Sequence, residues 1–208
     1  MVDKTWVDQW LNVLSAHITK KSRWALFEPS QEFYEKLETG EDEDLEIAGA
    51  EIGRHVELGS LPSMTYQWGI TMDPNVGGQI WQKGGTLQNS HIEIPLFYVG
   101  KPFAIGAIVA HELTHHFLHN ERLVLPDKVE NEQFTDLASI ALGLGKLVLN
   151  GTVSDHFQTA REYFILGYLS SELKAYAYRQ VNEQRGISTS EAHEQLNTEA
   201  FRIVEKTI

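Results

Sequence analysis

The sequence predicts an α+β fold, a small twisted and mostly antiparallel sheet packed on a helical body. Three observations predict it. Apolar residues recur at helical spacing through the first 58 residues and again after Val129. Between them lie short aromatic and β-branched stretches, residues 64–70, 79–82 and 90–94, set apart by Asp73-Pro74-Asn75, Gly77-Gly78 and Gly84-Gly85. The 208 residues suffice for one sizeable core and give no reason for a second.

A single domain over 1–208 follows, in three parts: a helical 1–58, a sheet and helix over 60–120, and C-terminal helices over 129–208. Residues 3–20 read as a helix through Trp6, Trp10, Leu11, Leu14 and Ile18. A second covers about 30–37, and the acidic run 38–44 is expected to be a solvated loop and cap. A third helix runs over 45–58 and ends near Gly59. After the sheet, Pro102 suits the first turn of a helix whose next eight residues, 103–110, are almost wholly apolar. A helix over about 130–149 is expected to stop at Asn150-Gly151, and another to run from 155 to about 169. Ser170 or Ser171 caps a helix reaching Arg185-Gly186, and Ser188 with Glu191 forms a capping box for the last one.

Composition narrows the function. The net charge of −12 disfavours nucleic acid and anionic membranes as partners, because both require a basic face. With no cysteine, disulfides and thiolate metal sites are excluded, so any metal must be held by imidazole and carboxylate. The apolar run 103–110 is too short to span a bilayer, and the N-terminus lacks the basic flank and apolar run of a signal peptide. A soluble, cytoplasmic protein without a membrane partner is expected.

The most informative stretch is His111-Glu112-Leu113-Thr114-His115, an HExxH box entered from that apolar helix. Residues four apart lie one above the other on a helix, so His111 and His115 aim their imidazoles at one point. Two neutral imidazoles at this spacing suit zinc, which lowers the pKa of water in its open position to about 7. Glu112 then stands where it accepts the proton of the attacking water. A hydrolytic zinc site takes three protein ligands, and Glu132 is the expected third, on a helix that folds back against the first. Asp136, one turn further on the same face, is placed to hold the spare N–H of a ligand histidine. Glu130 near the helix start is expected to complement the helix dipole. His116 and His119 point to other faces or turns and are expected beside the ligands or at the surface.

An HExxH box followed by a helix carrying Glu-x-x-x-Asp resembles the gluzincin branch of the zinc metallopeptidases, over about residues 90–150. The two segments are similar to thermolysin-type motifs with a shorter spacing, and to compact bacterial ImmA-like proteases. The metzincin pattern fits less well, since Leu118 stands where it needs glycine before Glu121. The resemblance implies a zinc metallopeptidase of zincin architecture, acting on a peptide or protein. It implies His111, His115 and Glu132 as ligands, Glu112 as general base and Asp136 behind the ligands. It also implies that the strand near 91–94 is a sheet edge able to pair with an extended substrate. His156, Tyr163 and Tyr168 are available to stabilise an oxyanion, and sequence orients none of them. The alternative expectation is a zincin-fold binding or regulatory module with a structural metal.

Overall fold

The computed structural model describes residues 2–18, 25–67, 79–82, 90–152 and 166–207. Helix α1 (Lys4–His17) opens on Asp3, whose carboxylate accepts the Trp6 N–H at 3.0 Å, and buries Val7, Leu11 and Leu14. Helix α2 (Gln31–Glu38) is capped by Ser30. Helix α3 (Asp42–His55) carries Asp42, Glu43 and Asp44 in its first turn. Half of the acidic run expected to be loop is therefore helical, where its charge complements the positive end of the α3 dipole.

The sheet has the order β1-β3-β2, with β1 (Ser63–Gln67), β2 (Gln79–Gln82) and β3 (Ser90–Pro95). β2 pairs antiparallel with β3, setting Ile80 opposite Ile92. β1 pairs parallel with β3, setting Ser63 opposite His91. The sheet is thus mixed and not mostly antiparallel. A parallel pair needs a long crossover, and the chain between β1 and β3 supplies one that also contains β2. Strand β3 alternates buried Ser90, Ile92 and Ile94 with partly exposed His91, Glu93 and Pro95.

β3 lies between its two partners, so residues 91–94 are the centre of the sheet and not an edge. The β1 edge is covered by α3. Asp42 accepts the Tyr66 N–H at 2.8 Å and Glu46 that of Met64 at 3.5 Å.

Helix α4 (Pro102–Asn120) starts at Pro102 as expected and is buried on nearly every side. Helix α5 (Lys128–Ser139), capped by Asp127, leads into a π-helical turn (Ile140–Leu144) and then α6 (Gly145–Thr152). The expected unbroken helix is interrupted at Gly143, with φ +88°. Nor does it stop at Asn150-Gly151. Gly151 lets α6 lie directly on α4, since a Cβ there would overlap the Ala107 methyl and stand 2.7 Å from the Phe103 carbonyl oxygen.

Of the helix expected over 155–169, residues 153–165 lie outside the described residues, and 166–169 form a bend. Helix α7 (Ser171–Arg185) is capped by Ser170 and ends at left-handed Gly186. The expected last helix is two, α8 (Thr189–His193), capped by Ser188, and α9 (Thr198–Lys206). The Asn197 side chain divides them by accepting the Ala200 N–H at 2.8 Å. The fold is α+β and mostly helical, with one apolar core running through helices and sheet. Among the described residues no helix is long and apolar enough to cross a membrane.

Candidate metal centre

The site forms where α5 folds back on α4. The turn between them is fixed by Leu123 N–H donating to the Leu118 carbonyl at 2.8 Å and Leu125 N–H donating to the Asn131 side chain at 2.9 Å. Buried Phe134, Leu137 and Ala138 hold α5 down, with Phe134 against the Trp10 ring at 4.9 Å. The hydroxyl of Ser139 lies 2.9 Å from that of Thr114, a polar tie between the same two helices.

These contacts bring His111, His115 and Glu132 together. Glu132 Oε2 lies 3.1 Å from His111 Nε2 and 2.9 Å from His115 Nε2. Among the described residues, one ligand atom from each of the three lies within 4.8 Å of the others. The opposite ring nitrogens are also engaged. His111 Nδ1 donates to Asp136 Oδ1 at 2.9 Å. Thr135 gives its hydroxyl proton to the Asn131 carbonyl at 2.8 Å, so its oxygen accepts from His115 Nδ1 at 3.2 Å. Both histidines therefore carry Nδ1–H and present Nε2 to the shared point.

Two ring nitrogens this close to one carboxylate oxygen require positive charge between them, supplied by protons or by a cation. The electrostatics carry the same message. Burial pulls His111 down, but hydrogen bonds to Asp136 and Glu132, with the charges of Asp136 and Glu112, push its pKa up to about 10. Burial pushes Glu132 up, yet its hydrogen bonds to the two histidines hold it well below the usual carboxylate range. The donor set, two imidazoles and one carboxylate, could hold a metal ion. Ligand atoms ~2.1 Å from a tetrahedral ion stand ~3.4 Å apart, so the two separations from Glu132, 3.1 and 2.9 Å, need open by only a few tenths of an ångström.

Glu112, 6 % exposed, stands beside this cluster on α4. Burial raises its carboxyl pKa against the pull of His111 and His115. Asp136, 3 % exposed, does more than hold His111. Its Oδ2 accepts the N–H groups of Tyr168 at 2.6 Å and Leu169 at 2.9 Å. Burial pushes its carboxyl up, and the Lys174 charge, the hydrogen bond and charge of His111 and the Leu169 N–H bring it below its ordinary value.

The other candidates fall outside the ligand cluster. Glu130 accepts from the Trp6 indole N–H at 3.0 Å, tying α1 to α5. His116 is buried, which lowers its pKa, and so is not at the surface. His119 and Glu121 are exposed at the end of α4. Tyr168, 44 % exposed, stacks its ring on His111 with centroids 5.9 Å apart. His156 and Tyr163 lie outside the described residues.

Sequence reasoning missed Thr135 and Lys174. Nothing in spacing marks Thr135 beyond its place one turn after Glu132. Lys174 left a signal: with Ala177, Tyr178 and Val181 it occupies the buried stripe of α7, where a lysine requires a partner. Compared with family models, curated proteins and solved structures, the chain finds no match, so the site rests on its own geometry.

Proposed function

We propose that the protein is a zinc-dependent hydrolase of zincin type that cleaves peptide bonds, with His111, His115 and Glu132 as ligands and Glu112 as general base. One observation carries the reading: both Nε2 atoms converge on Glu132 Oε2 while both Nδ1 atoms are held by α5. Three protein ligands also leave a coordination position open, as hydrolytic sites require and closed structural sites do not. When bound, the ion supplies Lewis-acid polarisation of the scissile carbonyl and acidifies water.

The remaining chemistry falls to the chain. Glu112 takes a proton as water oxygen bonds to the carbonyl carbon, and delivers it to the amide nitrogen as the C–N bond breaks. A carboxyl whose pKa burial raises is suited to holding that proton between the two steps. Asp136 and Thr135 keep the ligand imidazoles oriented. Of the described strands, β2 offers the edge for an extended substrate, because β3 is central and α3 covers β1.

The test is a peptide-library or casein digest with purified protein, zinc and a chelator control. Glu112→Gln should retain about one zinc per chain and lose turnover by at least 100-fold, whereas Glu132→Ala should lose the zinc. Turnover that survives in Glu112→Gln sinks the assignment of the base. Zinc binding without hydrolysis of any peptide favours a binding module with a structural metal.

A further inference from the structure

We infer that Lys174 is a positioning residue for the ligand His111, acting through the bend at 166–169 and Asp136; this rests on the reading of His111, His115 and Glu132 as a metal site. Lys174 lies on α7, is 1 % exposed and touches none of the three ligands. A buried ammonium is costly unless its protons are taken up. Here the Leu166 carbonyl accepts one, Thr152 Oγ1 lies 3.3 Å away on α6, and Asp136 Oδ2 lies 3.8 Å away.

The last separation is too long for a hydrogen bond. Gly167, with φ +89°, packs against both the ammonium and the carboxylate. A Cβ there would overlap Lys174 Nζ and stand 2.6 Å from Asp136 Oδ2. Lys174 therefore anchors the start of the bend at Leu166, while the next N–H groups, of Tyr168 and Leu169, are delivered to Asp136 Oδ2. With Oδ2 pinned in this way, Oδ1 is left in one orientation, toward His111 Nδ1. The chain of contacts runs from α7 and α6 through the bend to the imidazole, and the same bend lays the Tyr168 ring on His111. Nothing in the packing of α7 alone calls for this; a leucine would fill the same stripe.

A matched control exists in the molecule. Lys146 is also fully buried, but its ammonium bonds Glu28 at 2.6 Å and the Glu191 carbonyl at 3.0 Å, contacts that include none of the site residues. The experiment measures Zn²⁺ affinity by competition with a chromogenic chelator, and the visible spectrum of the Co²⁺ form, for wild type, Lys174→Met and Lys146→Met. Folding of each variant is checked by circular dichroism. Lys174→Met should weaken Zn²⁺ binding about 10- to 100-fold and change the Co²⁺ bands, whereas Lys146→Met should lose stability and keep wild-type affinity. Gly167→Ala, which disturbs the same clamp from the backbone, should act like Lys174→Met. A folded Lys174→Met that binds Zn²⁺ like wild type overturns the inference and leaves the metal site standing. Wild type that binds no Zn²⁺ removes the site and this inference together. If neither site variant folds, amide exchange in wild type decides. Zn²⁺ should slow exchange at Tyr168 and Leu169 severalfold, and unchanged exchange overturns the coupling.

Discussion

As a proposed metal ligand, His111 must meet two demands that conflict at neutral pH. Its pKa of about 10 means that without metal the ring carries a proton on each nitrogen. A metal needs the Nε2 lone pair, so uptake must displace that proton. Glu132 is held well below the usual range, is already ionised, and adds none. Zinc binding at pH 7 should therefore release about one proton, and apparent affinity should rise about tenfold per pH unit from 6 to 8. Calorimetry in buffers of different ionisation enthalpy measures the release, and a value near zero would contradict the protonated His111. The residues that make this site were legible to different degrees. HExxH is local: its spacing on one helix states the geometry outright. Glu132 and Asp136 required only a helix folding back. Thr135 is invisible to such reasoning, because a hydroxyl one turn after a carboxylate is ordinary on any helix. Tyr168 and Lys174 come from beyond α6, and no local period reports a contact of that range.

At the scale of elements, the turn between α5 and α6 shows how a break in a helix is compensated. Three successive backbone carbonyls of the π-helical turn find partners from elsewhere in the chain. Arg185 of α7 takes the Ala141 carbonyl, His55 of α3 takes that of Leu142 at 3.1 Å, and the Phe27 N–H takes that of Gly143 at 2.9 Å. The sequence read as one continuous helix here because periodicity persists through 137, 140, 141 and 144, and an isolated glycine is a weak signal of a break. What decides is a distant segment: a Cβ on Gly143 would overlap the Ala25 carbonyl oxygen. Gly100 separates the two contributions, since it has φ +78° with no atom within 4 Å of a built Cβ. Gly100→Ala should cost only the left-handed strain, about 1–2 kcal/mol. Gly143→Ala should cost at least about 2 kcal/mol more, because the Ala25–Pro29 crossing must move or the turn must straighten. Urea unfolding of both variants tests this, and equal losses would mean that the crossing yields freely. The caps behaved differently. Ser170 and Ser188, expected as caps, each bond the N-terminus of the helix they precede, as Asp3 and Ser30 do at the expected starts of α1 and α2, because a cap is chemistry within three residues.

Across the whole molecule, buried polar groups fasten the ends of the chain to α6. Lys146 reaches Glu28 before α2 and the Glu191 carbonyl in α8. Asn150 donates to Tyr34 at 3.1 Å and to the Gln195 carbonyl at 2.8 Å, and accepts the Asn197 N–H at 2.8 Å. An asparagine followed by glycine reads as a helix stop from sequence. Here both are buried, one for hydrogen bonding and one for close packing, because α4 and two distant segments surround them. This bracing bears on what a metal does for the fold. The core runs continuously through residues on both sides of the site and does not depend on the ligands for closure. Chelated protein should therefore keep its helical circular dichroism and a single cooperative transition, unlike small domains that fold only around zinc. Zinc at 100-fold above its Kd adds about 2.7 kcal/mol, which for a chain of this size raises Tm by roughly 5–10 °C. Glu112→Gln should keep that increment and Glu132→Ala should lose it, as read by thermal melts with and without chelator. Complete unfolding on chelation would assign the ion to folding and count against an open hydrolytic site.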